Sequence, residues 1–148
     1  MKIAPNPDSM DFLLAQVSHL HHSAAHQRLD ALGLYRGQPP LLQSLWEQDG
    51  QTQTELARQL QDTPATVTKM LQRMEKAGFI QRRPDEADQR ITRVYLTQAG
   101  KDVRNALENV LNGLETAVFK GFDQPELECL RGYLLRLRAN LLELQQEQ

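Results

Sequence analysis

The sequence contains very little cysteine, with Cys129 alone among 148 residues. A single cysteine cannot close an internal disulfide or supply a cysteine-rich zinc site, so packing must stabilise the fold and a reducing compartment is expected. Long apolar runs are also missing, because no stretch approaches the roughly 20 residues that span a bilayer. The opening MKIAPNPDSMDF lacks the apolar core of a secretory signal. These absences predict a cytoplasmic protein with no membrane segment.

Neither sign of charge dominates, since 17 lysines and arginines against 19 acidic residues leave a net charge of −2. This balance argues against a chain that binds nucleic acid over its whole surface. The sequence also lacks a glycine-rich phosphate loop, a nucleophile elbow and paired carboxylates in an identifiable cleft, so we expect neither an enzyme nor a cofactor. With 40% hydrophobic residues, the chain has the size and composition of one globular unit, residues 1–148.

The charge that is present is unevenly distributed. Residues 64–93 hold seven basic and four acidic side chains, a local net charge of +3. A basic segment on an acidic body is typical of a protein that meets phosphate with one face and keeps its remaining surface away from it.

Apolar spacing predicts a mainly α-helical chain with one β-hairpin. Helices are predicted at 8–32, after an Asp8 or Ser9 cap, and at 39–50, 53–60, 64–77, 98–119 and from 124. The third and fourth helices are separated by three residues, so they must cross steeply, and Thr63 followed by Pro64 marks the start of the fourth. Strands at 79–83 and 91–96 flank a polar turn and predict a two-stranded wing.

The last helix carries a leucine seam with the spacing of a heptad repeat. The seam consists of Leu127, Leu130, Leu134, Leu137, Leu141 and Leu144. We therefore predict that the last helix takes part in dimerisation. The alternative is a protein-interaction module whose seam binds a partner protein and whose basic helix is only a solvated face.

The helix at 64–77 has one apolar and one polar side, with Val67, Met70, Leu71 and Met74 on the apolar side. The polar side and its flanks carry Pro64, Ala65, Thr66, Thr68, Lys69, Gln72, Arg73 and Lys76. These residue types suit a DNA major groove, because Arg and Lys donate to guanine or phosphate, Gln pairs with adenine, and Thr or Ala methyls contact the thymine methyl.

The hairpin that follows favours DNA binding over a merely solvated face. Its Arg82, Arg83, Arg90 and Arg93 belong to a wing that can reach along the backbone into the neighbouring minor groove. Asp88 lies two residues before Arg90, and we expect it to orient this arginine rather than to contact DNA.

Several runs, TQTELARQL, TPATVTKMLQRMEKAGFIQRRPDEADQR and VYLTQAGK, closely resemble the MarR family of transcription regulators. The resemblance covers residues 41–101 in motif detail and the whole chain in helix order. Its most specific parts are Asp88-x-Arg90, Leu96-Thr97-x-x-Gly100 and Thr63-Pro64-x-Thr66-Val67-Thr68. One departure is the turn Gln61-Asp62-Thr63, where the family usually has Gly, an apolar residue and Ser.

The resemblance implies a winged helix-turn-helix homodimer that binds double-stranded DNA at a pseudo-palindromic operator, most often as a repressor. It also implies long N- and C-terminal dimerisation helices, 8–34 and 98–146, around a DNA-binding lobe at 38–96. Matching positions make Thr66, Thr68, Lys69 and Arg73 the helix contacts and Arg90 the minor-groove residue. Peroxide-sensing relatives carry a cysteine near the start of the first helix, so Cys129 is expected to be structural or incidental.

Family members commonly bind small aromatic or phenolic ligands where the dimer helices meet the DNA-binding lobe. The candidate lining residues here are His21, Tyr35, Arg36, Trp46 and Met70. His21 and Trp46 also suit ordinary core or interface positions, so both interpretations stay open.

A zinc-responsive regulator of the same fold is the alternative, because His19, His22 and His26 share one side of the first helix. His22 and His26, four residues apart, could share a metal ion. The opposing interpretation is an exposed histidine cluster with no metal, and the spacing identifies no carboxylate partner.

Overall fold

The structure, a computed structural model, describes residues 6–147. The elements are α1 (Met10–Asp30), α2 (Gln38–Glu47), β1 (Gln51–Thr52), α3 (Gln53–Leu60), α4 (Pro64–Lys76), β2 (Ile80–Pro84), β3 (Thr92–Leu96), α5 (Gln98–Val118) and α6 (Gln124–Gln146). The chain divides into one compact unit that ends at Leu114 and a second that begins at Glu115. No helix within residues 6–147 combines the length and the apolar character needed to cross a membrane.

The mainly helical prediction is confirmed, with shifted ends. α1 begins after Ser9, whose hydroxyl accepts from the N–H of Phe12, and it ends at Asp30 rather than near residue 32. α2 ends at Glu47 rather than at Gly50, because Gln48 already has an extended backbone. Helix ends depend on caps that apolar spacing alone does not fix.

The predicted two-stranded wing is formed by β2 and β3, and a third strand, β1, which was not predicted, completes an antiparallel sheet in the order β1-β3-β2. β3 pairs with β2 from Ile80↔Leu96 to Pro84↔Thr92 and with β1 at Gln51↔Val94. The missing strand was β1, whose two residues are too few to show the period-two pattern by which strands are recognised.

One apolar core in the first unit fixes α2, α3, α4 and the sheet. Its members include Leu41, Leu42, Leu45, Leu56, Val67, Leu71, Met74, Ile80 and Val94. Burying an aliphatic or methionine side chain contributes about 1.5–3 kcal/mol. The packing therefore holds α4 by its inner face and leaves its outer face open.

A buried amide joins α2, β1 and α3. Gln51 is 3% exposed, and its Nε2 donates to the backbone oxygens of Ser44 and Gln48 at 2.9 and 2.7 Å. Its Oε1 accepts from Gln59 at 2.9 Å, and Gln59 in turn pairs with the Ser44 hydroxyl. Because every polar atom of this buried side chain is hydrogen-bonded, the side chain fixes the start of the helix-turn-helix at little desolvation cost.

The apolar stripe of α1 consists of Leu13, Val17 and Leu20, and all three side chains are exposed. The buried residues of α1 are Ala25 and Leu29. The stripe therefore contributes little to the core of its own chain.

In the second unit, α6 begins with a capping box formed by Asp123 and Glu126. None of the α6 residues in the described part of the chain is buried. Within the leucine seam, Leu127 and Leu130 are partly buried, and the exposed members are Leu134, Leu137, Leu141 and Leu144.

Candidate nucleic-acid interface

The turn before α4 forms despite its unusual sequence. Gln61 takes the left-handed conformation, with φ 52°, and closes α3. Glycine adopts this conformation without strain, whereas another residue pays roughly 1–2 kcal/mol. Thr63 then caps α4 by accepting from the N–H of Thr66. The departure from the family pattern therefore leaves the helix-turn-helix geometry intact.

The outer side of α4 is polar and open. Pro64, Ala65, Thr66, Lys69, Gln72, Arg73 and Lys76 are exposed. Thr68 is partly buried, and its hydroxyl donates to the carbonyl oxygen of Pro64 at 2.8 Å. Of the eight residues predicted on the polar side of this helix and its flanks, seven thus lie on an open surface. The eighth is Thr68, whose hydroxyl already has a partner within the helix.

Two of the four predicted wing arginines bind other parts of the protein. Arg82 donates through its Nη2 to Glu75 Oε1 at 3.0 Å, and its side chain is 24% exposed. Arg93 donates through Nε to Asp85 and through Nη1 to the carbonyl oxygen of Gly50 at 2.9 Å. Arg82 therefore connects β2 to α4, and Arg93 connects the wing to the segment before β1.

The other two wing arginines are more open. Arg90 donates through Nε and Nη2 to the two carboxylate oxygens of Asp88, each at 3.0 Å, while its side chain is 91% exposed. The Arg83 guanidinium lies over the ring of Tyr95, 4.6 Å from the centroid. The structure thus brings Asp88 and Arg90 together at the tip, where two parallel bonds fix the direction of the guanidinium.

Three carboxylates in this region have lowered pKa values, each mainly because of a side-chain hydrogen bond from an arginine. Arg93 lowers the pKa of Asp85, Arg90 that of Asp88 and Arg82 that of Glu75. All three acids therefore stay ionised well below neutral pH, and they neutralise much of the wing's positive charge. Arg83 is the wing arginine without a carboxylate partner among residues 6–147.

Comparison with known proteins identifies the fold. A model of the MarR family matches residues 34–92. An uncharacterised HTH-type transcriptional regulator of Bacillus subtilis (strain 168), YybA, is 31% identical over 110 residues, which are 74% of this chain and 73% of YybA. The chain belongs to the MarR family. It is a winged-helix, DNA-binding transcription regulator and not an enzyme.

Solved MarR-type structures have the same architecture. S. aureus MepR in complex with DNA superposes with a TM-score of 0.78 at 26% identity, covering 89% of this chain and 98% of that one. A MarR transcriptional regulator from Methanosarcina mazei Go1 gives a TM-score of 0.71 at 25% identity, covering 90% and 99%.

The effector-pocket residues predicted for this MarR-family chain do not form one cluster. Tyr35 and Met70 line a cavity of about 230 Å³ together with Gly37, Gln38, Thr66, Lys69 and Arg73. Arg36 is exposed beside it. Trp46 donates through Nε1 to the carbonyl oxygen of Gly100 at 2.8 Å and packs against the core, and His21 is exposed on α1.

His19, His22 and His26 are also exposed on α1, as is Cys129 on α6. Residues 6–147 contain no group of three or more His, Cys, Asp or Glu side chains arranged to hold a metal ion. The geometry of the described residues therefore adds no support to the zinc-responsive alternative.

The role of Asp85 was not predicted from the sequence. Its carboxylate accepts from the N–H groups of Ala87 and Asp88, each at 3.0 Å, and from Arg93. An aspartate that accepts from an N–H two residues later forms an Asx turn. That spacing at the start of a polar turn was the available signal.

The wing of this MarR-family protein is expected to lose stability in acid. Unfolded aspartates titrate near 3.8, and folding lowers the pKa of Asp85 and Asp88. The folded wing therefore binds fewer protons than the unfolded chain, so its extra stability is complete above pH 3.8 and is lost as pH falls towards the lowered pKa values. We expect the thermal midpoint to fall less between pH 6 and pH 3 in Asp85→Asn than in the unchanged protein. An equal fall in the thermal midpoint of the two proteins over this pH range would contradict the stabilising role of the ionised Asp85.

Proposed function

We propose that this MarR-family protein binds a pseudo-palindromic operator as a homodimer and represses transcription by occupying it. In this proposal α4 of each subunit enters the major groove and Arg90 enters the adjacent minor groove. The observation that carries the proposal is the open side of α4, where Lys69, Arg73 and Lys76 have no carboxylate partner within residues 6–147. MepR, whose structure contains DNA, supports this assignment by its similarity to the present chain.

The exposed apolar residues of α1 and α6 support a homodimer. Leu13, Val17 and Leu20 on α1, and the open seam leucines on α6, form long apolar surfaces of the kind that a second copy covers. A two-fold dimer reads two half-sites about one helical turn, ~34 Å, apart. Its operator is therefore expected to be an inverted repeat.

The cavity beside α4 supports regulation by a small aromatic anion. Tyr35 and Met70 provide apolar surface, and Lys69 and Arg73 provide positive charge. Its volume of about 230 Å³ is below the range of drug-sized sites, roughly 300–1,000 Å³, and suits a single ring. A ligand there would contact α4 directly and would compete with DNA for the same arginine.

Selection of bound sequences from a random duplex pool at ~150 mM salt tests this function, because nonspecific binding is weak at that ionic strength. We expect an inverted repeat to be enriched, and its affinity to fall steeply as salt rises. The enriched duplex then serves as a probe for release by benzoate, with zinc tested in parallel. Repression is tested with a reporter that carries this operator over its promoter.

Each outcome separates the alternatives. No enriched sequence with or without zinc would favour the protein-interaction module, which predicts no salt-dependent DNA binding. Enrichment that requires zinc would favour the metal-responsive alternative. Enrichment without release by benzoate would contradict the proposal of an aromatic anion as effector but would still support sequence-specific DNA binding.

A further inference from the structure

Arg73 is held differently from three of the arginines in the wing. Its guanidinium lies over the ring of Tyr35, with Cζ 5.3 Å from the centroid. Within residues 6–147, Arg73 forms no ion pair, whereas Arg82, Arg90 and Arg93 each donate to a carboxylate. The N–H groups of Arg73 are therefore available to an acceptor from outside the chain, while the Tyr35 ring restricts the movement of its side chain.

The backbone of Tyr35 is fixed by both neighbouring segments. Leu34 is buried in the core, with 1% of its surface exposed. The N–H of Tyr35 donates to Oε1 of Gln38 at 2.9 Å, and the N–H of Gln38 donates back to the carbonyl oxygen of Tyr35 at 3.0 Å. Since Gln38 is itself buried, the tyrosine is attached to the rigid part of the lobe.

The approach between the start of α2 and α4 is close at this point. A Cβ on Gly37 would lie 3.0 Å from Cε of Met70, so the absence of a side chain at Gly37 allows the two segments to meet. Met70 is one turn before Arg73 on α4. The contact therefore places the exposed ring of Tyr35 beside the outer side of α4, where Arg73 emerges.

Stacking and carboxylate pairing use different parts of a guanidinium. A carboxylate accepts from the N–H groups, which are the same groups that bind guanine or phosphate. An aromatic ring contacts the flat face and leaves the N–H edge free. Tyr35 can thus restrict the orientation of Arg73 without competing for the hydrogen bonds that DNA would accept.

We propose that Tyr35 is a positioning residue for Arg73, which it orders by stacking so that the guanidinium edge is directed at the DNA. The proposal rests on the proposed function, in which Arg73 contacts the operator. In this proposal Tyr35, which lies outside the helix-turn-helix, contributes to DNA recognition through Arg73.

A double-mutant cycle with Tyr35→Ala and Arg73→Ala tests the proposal on the selected operator. Alone, Tyr35→Ala is expected to weaken operator binding about three- to tenfold. In the Arg73→Ala background the same change should alter binding by less than about twofold, because the arginine that it positions is gone. Tyr35→Phe keeps the ring and should restore most of the affinity, whereas Tyr35→Leu keeps bulk without a ring and should not.

Thermal unfolding of each variant shows whether the lobe is folded, and Tyr35→Leu replaces Tyr35→Ala in the cycle if the alanine variant is unstable. Equal losses from the Tyr35 substitution with and without Arg73 would overturn the proposal, as would full affinity in Tyr35→Leu. Failure of the proposed function is distinct, because the unchanged protein would then bind no operator. A panel of single base-pair changes adds a second readout: Tyr35→Ala should reduce discrimination only at the positions that Arg73→Ala also affects.

Discussion

Gly100→Ala is expected to destabilise the fold by about 3 kcal/mol or more, which is unusual for the addition of one methyl group. A Cβ at this position would lie 2.1 Å from the carbonyl oxygen of Phe79. That oxygen is backbone and also accepts from the N–H of Thr97 at 3.0 Å, so it cannot move without breaking the junction between β2 and α5. The Gly100 carbonyl in turn holds Trp46, and a shift of the helix would therefore reach α2 as well.

Helix propensity alone predicts the opposite sign, because replacing glycine by alanine inside a helix normally raises the free energy of unfolding by up to about 1 kcal/mol. Gly113 in the same helix offers the matched control, since among residues 6–147 a Cβ there would meet no atom within 4 Å beyond its own stretch of helix. We expect Gly113→Ala to raise the free energy of unfolding, and urea denaturation of both variants measures the contrast. Similar free energies of unfolding for Gly100→Ala and Gly113→Ala would show that the Phe79 carbonyl can move to accommodate the added methyl group.

Arg90→Ala is expected to weaken operator binding by about 2–6 kcal/mol. A well-placed arginine contact contributes roughly 1–3 kcal/mol, and the proposed two-fold dimer would lose it in both half-sites. Arg82 and Arg93 are not expected to compensate for this loss, because their guanidinium groups are bound to Glu75 and Asp85. Fluorescence anisotropy with the selected duplex gives the affinity.

Arg104→Ala is the control for Arg90→Ala, because it removes the same charge from α5, outside the wing, where Arg104 pairs with Glu108. Its affinity should stay near that of the unchanged protein. Asp88→Ala gives a sharper test, since general electrostatics predicts tighter DNA binding when a negative charge is removed. We expect weaker binding instead, because Arg90 loses both of the bonds that direct it. Tighter binding by Asp88→Ala would indicate that the ion pair restrains Arg90 rather than presenting it.

The sequence predicted the helices and the hairpin because local signals specify them. Thr63 followed by Pro64 and the apolar side of α4 are visible within one segment. β1 was missed because it exists only through its pairing with β3, and a pairing across about 40 residues leaves no local pattern. The open stripe of α1 could not be recognised either, since spacing shows that a side is apolar but not what covers it.

For the candidate interface, residue types and positions could be predicted, but partners that are distant in the chain could not. It could not separate Arg90, which is exposed, from Arg82 and Arg93, whose guanidinium groups bind other parts of the protein. Asp88 and Arg90 form an ion pair, and their separation of two residues is the local signal for it. Tyr35 and Arg73 are far apart in the chain, and their contact depends on the close approach of Gly37, just before α2, to Met70 on α4.

The strand order β1-β3-β2 also has a consequence for solubility at high concentration. Unpaired edge strands can recruit strands from other molecules and start aggregation. One edge of this sheet is β1, which is only two residues long. The other edge is β2, which ends in Arg82, Arg83 and Pro84, and proline and positive charge both discourage a further strand from adding. The wing can therefore project from the lobe with free backbone groups and still resist polymerisation into larger sheets.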